Sequence, residues 1–137
     1  MSEKFKIELV TPKGIVLDKE VEEVIAPGIM GEFGVLIGHT PMLTFIKPGI
    51  LSCLDNDQFI KFVVGSGFCE VLKDAVTVLV DEAFGRDDID PVEAAQDLEA
   101  VQKELSELDA LTDPEGYQNL LNKLQLIKYK IALAGAS

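Results

Sequence analysis

Few residues in this chain have the type and spacing to do covalent or metal chemistry. The single histidine, His39, lies between Gly38 and Thr40-Pro41. A histidine base needs a nucleophile at hand and a third group to orient it, and nothing around His39 points to either. A loop histidine serving a partner contact or the local structure fits better. Cys53 and Cys69 each sit among strand-like apolar residues, without Cys-x-x-Cys spacing. They read as reduced, buried thiols acting as small hydrophobes, and they offer no metal site. Asp55-Asn56-Asp57 begins like a calcium loop, but the required glycine and distal glutamate are missing. A hairpin turn accounts for it. Gly31-x-x-Gly34 is followed by neither Lys-Ser nor Lys-Thr, and no helix begins there, so it is no phosphate loop. The glycines and prolines between Pro27 and Gly49 suit tight turns and close backbone approach. The expectation is a protein without catalytic residues or cofactor, acting through contact.

Composition narrows the kind of contact. The 137 residues carry a net charge of −12, with a pI near 4.4. Nucleic acid and anionic lipid repel such a chain. With 47% hydrophobic residues it can bury a core, yet no apolar run reaches the roughly 18 residues needed to cross a bilayer. Met1-Ser2-Glu3-Lys4 lacks the basic flank and apolar stretch of a signal peptide. The expected place is the cytosol or a cytosolic membrane face.

Two periodicities divide the chain. Phe5, Ile7 and Leu9 alternate with polar neighbours, the period-2 mark of a half-buried strand. Short apolar runs follow at 15–17, 21–25, 33–37, 42–46, 50–54, 59–64, 68–72 and 76–80. Asp18-Lys19 and Pro27-Gly28 read as breaks. Many short strands without crossover helices predict an antiparallel β-sandwich over residues 1–86. Residues 87–137 predict two helices. Asp90-Pro91-Val92-Glu93 is a capping box with proline at the first helical position. Leu98, Val101, Leu105 and Leu108, extended by Ala94 and Leu111, form one apolar stripe. Asp113-Pro114 opens the second helix, whose stripe is Tyr117, Leu120, Leu124, Ile127 and Ile131, with Gly135 as its stop. Two such stripes on a short link pair as an antiparallel helical hairpin.

The tail splits its charge. Asp87 to Glu115 holds eleven acids against one base, Lys103, while the rest holds Lys123, Lys128 and Lys130 and no acid. The lysines are expected to neutralise the first helix at Glu99, Glu104 or Glu107. Alternatively, the basic helix leaves to meet an acidic partner. On residues alone, a generic β-sandwich adaptor with a dimerising helical hairpin stays open. A small-molecule sandwich enzyme lacks the residues it would need.

A further series of residues carries a resemblance. Val10-Thr11-Pro12, Leu17-Asp18, Val21-Glu22, Pro27-Gly28, Gly31-Glu32-Phe33-Gly34-Val35-Leu36, Gly38-His39-Thr40-Pro41, Lys47-Pro48-Gly49, Gly67-Phe68, Glu70-Val71 and Val76-Thr77-Val78-Leu79 occur in this order. The series resembles the epsilon subunit family of F-type ATP synthases, called delta in mitochondria. Gly31 to Pro41 is the most specific stretch. The resemblance implies a non-catalytic rotor subunit on the cytoplasmic face of the bacterial inner membrane. Its sandwich would grip the gamma subunit and the c-ring, coupling ion flow to ATP synthesis. Glu32, Phe33, His39, Thr40 and Met42 would make those contacts. The hairpin would be a regulatory tail that meets alpha and beta subunits transiently and inhibits ATP hydrolysis, with Lys123, Lys128 and Lys130 against beta. Three departures from the family pattern stand out: Ile37 for proline, Ser66 for the first glycine of a pair, and Glu93 for the arginine of an Ile/Leu-Asp-x-x-Arg-Ala motif with which some members bind ATP. The last reverses a charge at a phosphate-contacting position.

Overall fold

The computed structural model describes residues 3–135; Met1, Ser2, Ala136 and Ser137, the ends of the two expected parts, lie outside them. Ten strands come first: β1 (Phe5–Thr11), β2 (Gly14–Val21), β3 (Glu23–Gly28), β4 (Gly31–Val35), β5 (Met42–Ile46), β6 (Gly49–Asp55), β7 (Gln58–Val64), β8 (Gly67–Val71), β9 (Ala75–Val80) and β10 (Ala83–Gly85). A 3-10 turn at Arg86–Asp88 leads into α1 (Pro91–Glu107) and α2 (Pro114–Gly135).

Hydrogen bonding runs β10-β7-β6-β3, then β5-β8-β9-β1-β2, with β4 added to β3. β3 is the corner between the two layers. Glu23, Val24 and Ile25 pair with β6, while Gly28 pairs with Ile46 of β5. All pairings are antiparallel except β1 with β9. Because side chains alternate across each strand, one face of every layer turns inward. Ile7, Leu9, Leu51, Cys53, Cys69, Val76 and Val78 meet there in one core. Both thiols lie inside it, and burial pushes each up to about 12. The Asp55-Asn56-Asp57 turn behaves as expected: Asp55 faces Gln58, and Asn56 and Asp57 both take positive φ, as a two-residue hairpin loop requires.

The strand boundaries differ from expectation at three places. β2 runs straight through Asp18-Lys19, because β2 is an edge strand and both charges find partners: Lys6 pairs with Asp18 and Lys19 with Asp55. Pro27-Gly28 ends β3 instead of interrupting it; Pro27 faces Glu32 in the ladder and its carbonyl accepts from the Lys47 N–H. β10, three residues long, carries no alternating pattern. Asp55 gathers both Lys4 and Lys19 at the far end of β6. The Lys19 hydrogen bond, against a smaller effect of desolvation and with help from Lys4, holds its carboxyl below the usual carboxylate range.

Asp90 caps α1, its side chain accepting from the Val92 and Glu93 N–H groups at 3.0 and 3.3 Å. The returning bond from Glu93 that would complete the box is not made. α1 ends at Glu107, so Leu111 lies beyond its stripe and is 93% exposed. Asp113 starts α2 by accepting from the Gly116 N–H at 2.9 Å. α1 packs along α2, burying Ala94 and Val101, and α2 makes the main helix packing against β6 and β7. The expected stripe on α2 includes Ile127 but misses Leu126 and Leu133, which form the seam to the sandwich with Val63, Ile50, Phe84 and Tyr129. α2 therefore has two apolar faces. No ion pair joins the helices among the described residues, so the expected neutralisation of Glu99, Glu104 and Glu107 does not occur.

Candidate partner-binding surface

Among the described residues, the outer face of β5-β8-β9-β1-β2 exposes a continuous apolar row. Here the residues that alternate away from the core line up by register. Phe45 faces Phe68, Phe68 faces Leu79, Leu79 faces Val10, and Val10 faces Ile15. Five strands at about 4.8 Å make this row roughly 19 Å wide. Phe45 is 67% exposed, Phe68 41% and Ile15 62%. Ile29 and Met30, at the tip of the β3–β4 hairpin, stand beside it, since the Ile29 N–H donates to the Phe45 carbonyl. In the next row, exposed Leu43 stands at the β5 end and is followed by Glu70, Thr77, Glu8 and Asp18. An exposed apolar row flanked by acids is the usual form of a protein-binding face.

The expected contact residues fall into two groups. Glu32 and Phe33 belong to β4 next to the hairpin tip, so they do not share a loop with His39. Phe33 is half-buried, its ring against Gly28, where a Cβ would strike it. His39 and Thr40 lie in the 36–41 loop, which the Gly38 N–H ties to the Lys73 carbonyl. β5 separates the groups: Met42 is at the His39 end and Ile46 at the tip end, about 13 Å along the strand. Met42 packs against the core. His39 Nδ1 is 2.6 Å from the Thr40 carbonyl. A carbonyl only accepts, so Nδ1 holds the proton and Nε2 is left to a partner. Phe45, Phe68 and Ile15 are not among the expected contact residues, because an exposed apolar side chain has no chemical signature of its own. Period-2 alternation on β5 marks Phe45, because Thr44 and Ile46 on either side bracket an outward position.

The tail has its own cleft. Asp88, Asp90, Glu93 and Asp97 line one end of it with Lys130, and Asp81, Glu82, Lys123 and Asn122 line a neighbouring hollow of about 350 Å³. Glu93, where an arginine would serve a phosphate, adds a fourth carboxylate to the first group. A like charge at 4 Å costs about 1–4 kcal/mol between bulk water and a protein surface. The isolated chain is therefore expected to show no heat of ATP binding at millimolar nucleotide in a calorimetric titration. A micromolar isotherm would mean that Lys123 and Lys130 outweigh the carboxylates.

A family model described as "ATP synthase, Delta/Epsilon chain, beta-sandwich domain" matches residues 4–86. The ATP synthase epsilon chain 2 of Syntrophotalea carbinolica is 41% identical over 98% of this chain and 96% of its own length. The chain belongs to the ATP synthase delta/epsilon family. The epsilon chain of Geobacter metallireducens is 40% identical over 100% of this chain and 98% of its own. The fold agrees with a chain in the Euglena gracilis mitochondrial ATP synthase structure, with a TM-score of 0.79 and 22% identity over 94% of this chain and 80% of that one. Membership makes the chain a non-catalytic subunit of the F-type ATP synthase, a membrane-associated complex. No described helix is long and apolar enough to cross a membrane. Of the family departures, Ser66 is accommodated because its carbonyl only has to accept from the Asp81 N–H.

Proposed function

We propose that this subunit locks the shaft of the ATP synthase to its membrane rotor, with the sandwich of residues 1–86 as the grip and residues 87–137 as a regulatory tail. The observation that carries the grip is the exposed row from Phe45 to Ile15 on a member of this family. The gamma subunit covers that row. Glu32, backed by Phe33 at the hairpin tip, and His39 and Thr40, backed by Met42, reach gamma and the c-ring from either end of β5. The subunit is peripheral, on the cytoplasmic face. Lys123, Lys128 and Lys130 bear on beta when the tail leaves the sandwich, and contacts with alpha and beta are transient.

Co-purification tests this reading. The full chain, co-expressed with gamma and the c subunit, is expected to leave the membrane extract as one complex with both. Cysteines placed at Glu32 or His39 should cross-link to c or gamma in a coupled enzyme. Cys53 and Cys69 can stay in place, since both are buried with thiols near 12. A chain that self-associates tightly and ignores gamma would instead favour the dimerising adaptor.

A further inference from the structure

The three tail lysines are not equivalent. Lys128 is exposed, and no described group pairs with it. Lys130 is half-buried, and its ammonium stands 3.8 Å from the centre of the Phe84 ring, in a cleft shared with Asp88, Asp90, Glu93 and Asp97. Two residues beyond Phe84, Arg86 donates from Nε to the Leu133 carbonyl at 3.2 Å. Leu133 lies in the last turn of α2, where carbonyls have no helical partner and cations are favoured. Thus β10 and the turn after it hold α2 twice, once through a ring under a lysine and once through an arginine on the helix end.

The seam these contacts close is small. Val63, Leu126 and Leu133 are its buried members, whereas the sandwich core draws on nine of the ten strands. α1 packs on α2 and not substantially on any strand. A unit joined by so few buried contacts opens at lower free energy than the core behind it. We infer that Lys130 and Arg86, seated on Phe84 and Leu133, are the latch that decides whether the helical pair stays on the sandwich. Lys128 takes no part and remains free for an acidic partner. The consequence for inhibition rests on the proposed tail function; the latch itself does not.

Amide hydrogen exchange on the isolated full chain tests the latch. Lys130→Met keeps the stem and removes the charge. It is expected to speed exchange at Leu126–Leu133 about five-fold, the scale of one partly desolvated cation–ring contact. Lys130→Arg should restore protection, and Lys128→Met should leave it unchanged. Arg86→Ala should act in the same direction as Lys130→Met. On a Phe84→Leu background Lys130→Met should add little, because the ring it contacts is already gone. Equal effects at Lys128 and Lys130, or full additivity with Phe84→Leu, would overturn the assignment. So would faster exchange spreading into β1 and β9, since the seam would then not open apart from the core. A failed gamma capture would sink the subunit's proposed role and leave these exchange results standing.

Discussion

A chain carrying Phe45→Glu and Phe68→Glu together is expected to bind gamma about 100-fold more weakly than wild type while its melting temperature falls by only a few degrees, the cost of two carboxylates facing each other across β5 and β8. The scale is that of losing two aromatic anchors from an interface centre. Both rings are largely outside the core and adjacent across β5 and β8, so their loss removes little folding energy. Binding is different. Two carboxylates would enter a surface that must be dehydrated on contact, beside a row that already holds Glu70, Glu8 and Asp18. The check is a titration of purified gamma against each chain, with thermal melts alongside. Unchanged affinity at unchanged stability would remove the row from the interface.

Gly67→Ala is expected to destabilise the sandwich by about 3 kcal/mol, the upper part of the range for overpacking, and to lower the melting temperature by roughly 10 °C. A Cβ at Gly67 would overlap the Leu79 carbonyl oxygen and lie 2.7 Å from the Val80 Cα. Those are backbone atoms of β9, held in the β8–β9 ladder with Gly67 opposite Val80. They cannot swing away as a side-chain tip would. At Gly65 the obstructing atoms belong to the Asp81 side chain, so the same substitution there should cost clearly less. Equal effects at the two sites in denaturant melts would contradict this account.

The strands that alternate were legible from residue types alone, because burial of one face writes a period of two. β2 was not, since an edge strand with Lys19 and Asp18 exposed obeys no inside–outside rule and depends on Lys6 and Asp55 for its order. Pro27-Gly28 looked like a break because proline cannot donate to a ladder. In place, Pro27 only has to accept, and Gly28 sits where Phe33 leaves no room for a side chain. The helices were announced by Asp90-Pro91 and Asp113-Pro114. The second apolar face of α2 was hidden because Leu126 and Leu133 are seven apart within a helix already rich in leucine. The charge split suggested ion pairs between helices. The fold instead gives Lys130 an aromatic ring on the sandwich, a contact between residues 46 positions apart that no local pattern encodes.

The parallel pairing of β1 with β9 also sets the order in which the chain can be finished on the ribosome. β1 meets β2 at once across a four-residue turn, but its other edge waits for residues 75–79. At about 5–20 residues per second that wait lasts roughly 3 to 14 seconds. Until then Ile7 and Leu9, which end fully enclosed, belong to a ribbon whose second edge is unpaired. Such a ribbon is only marginally stable in water. The layer is therefore completed late, since β9 lies between β8 and β1. Contacts this distant along the chain fold slowly. During that interval, the unpaired edge of β1 is a template for pairing with another chain.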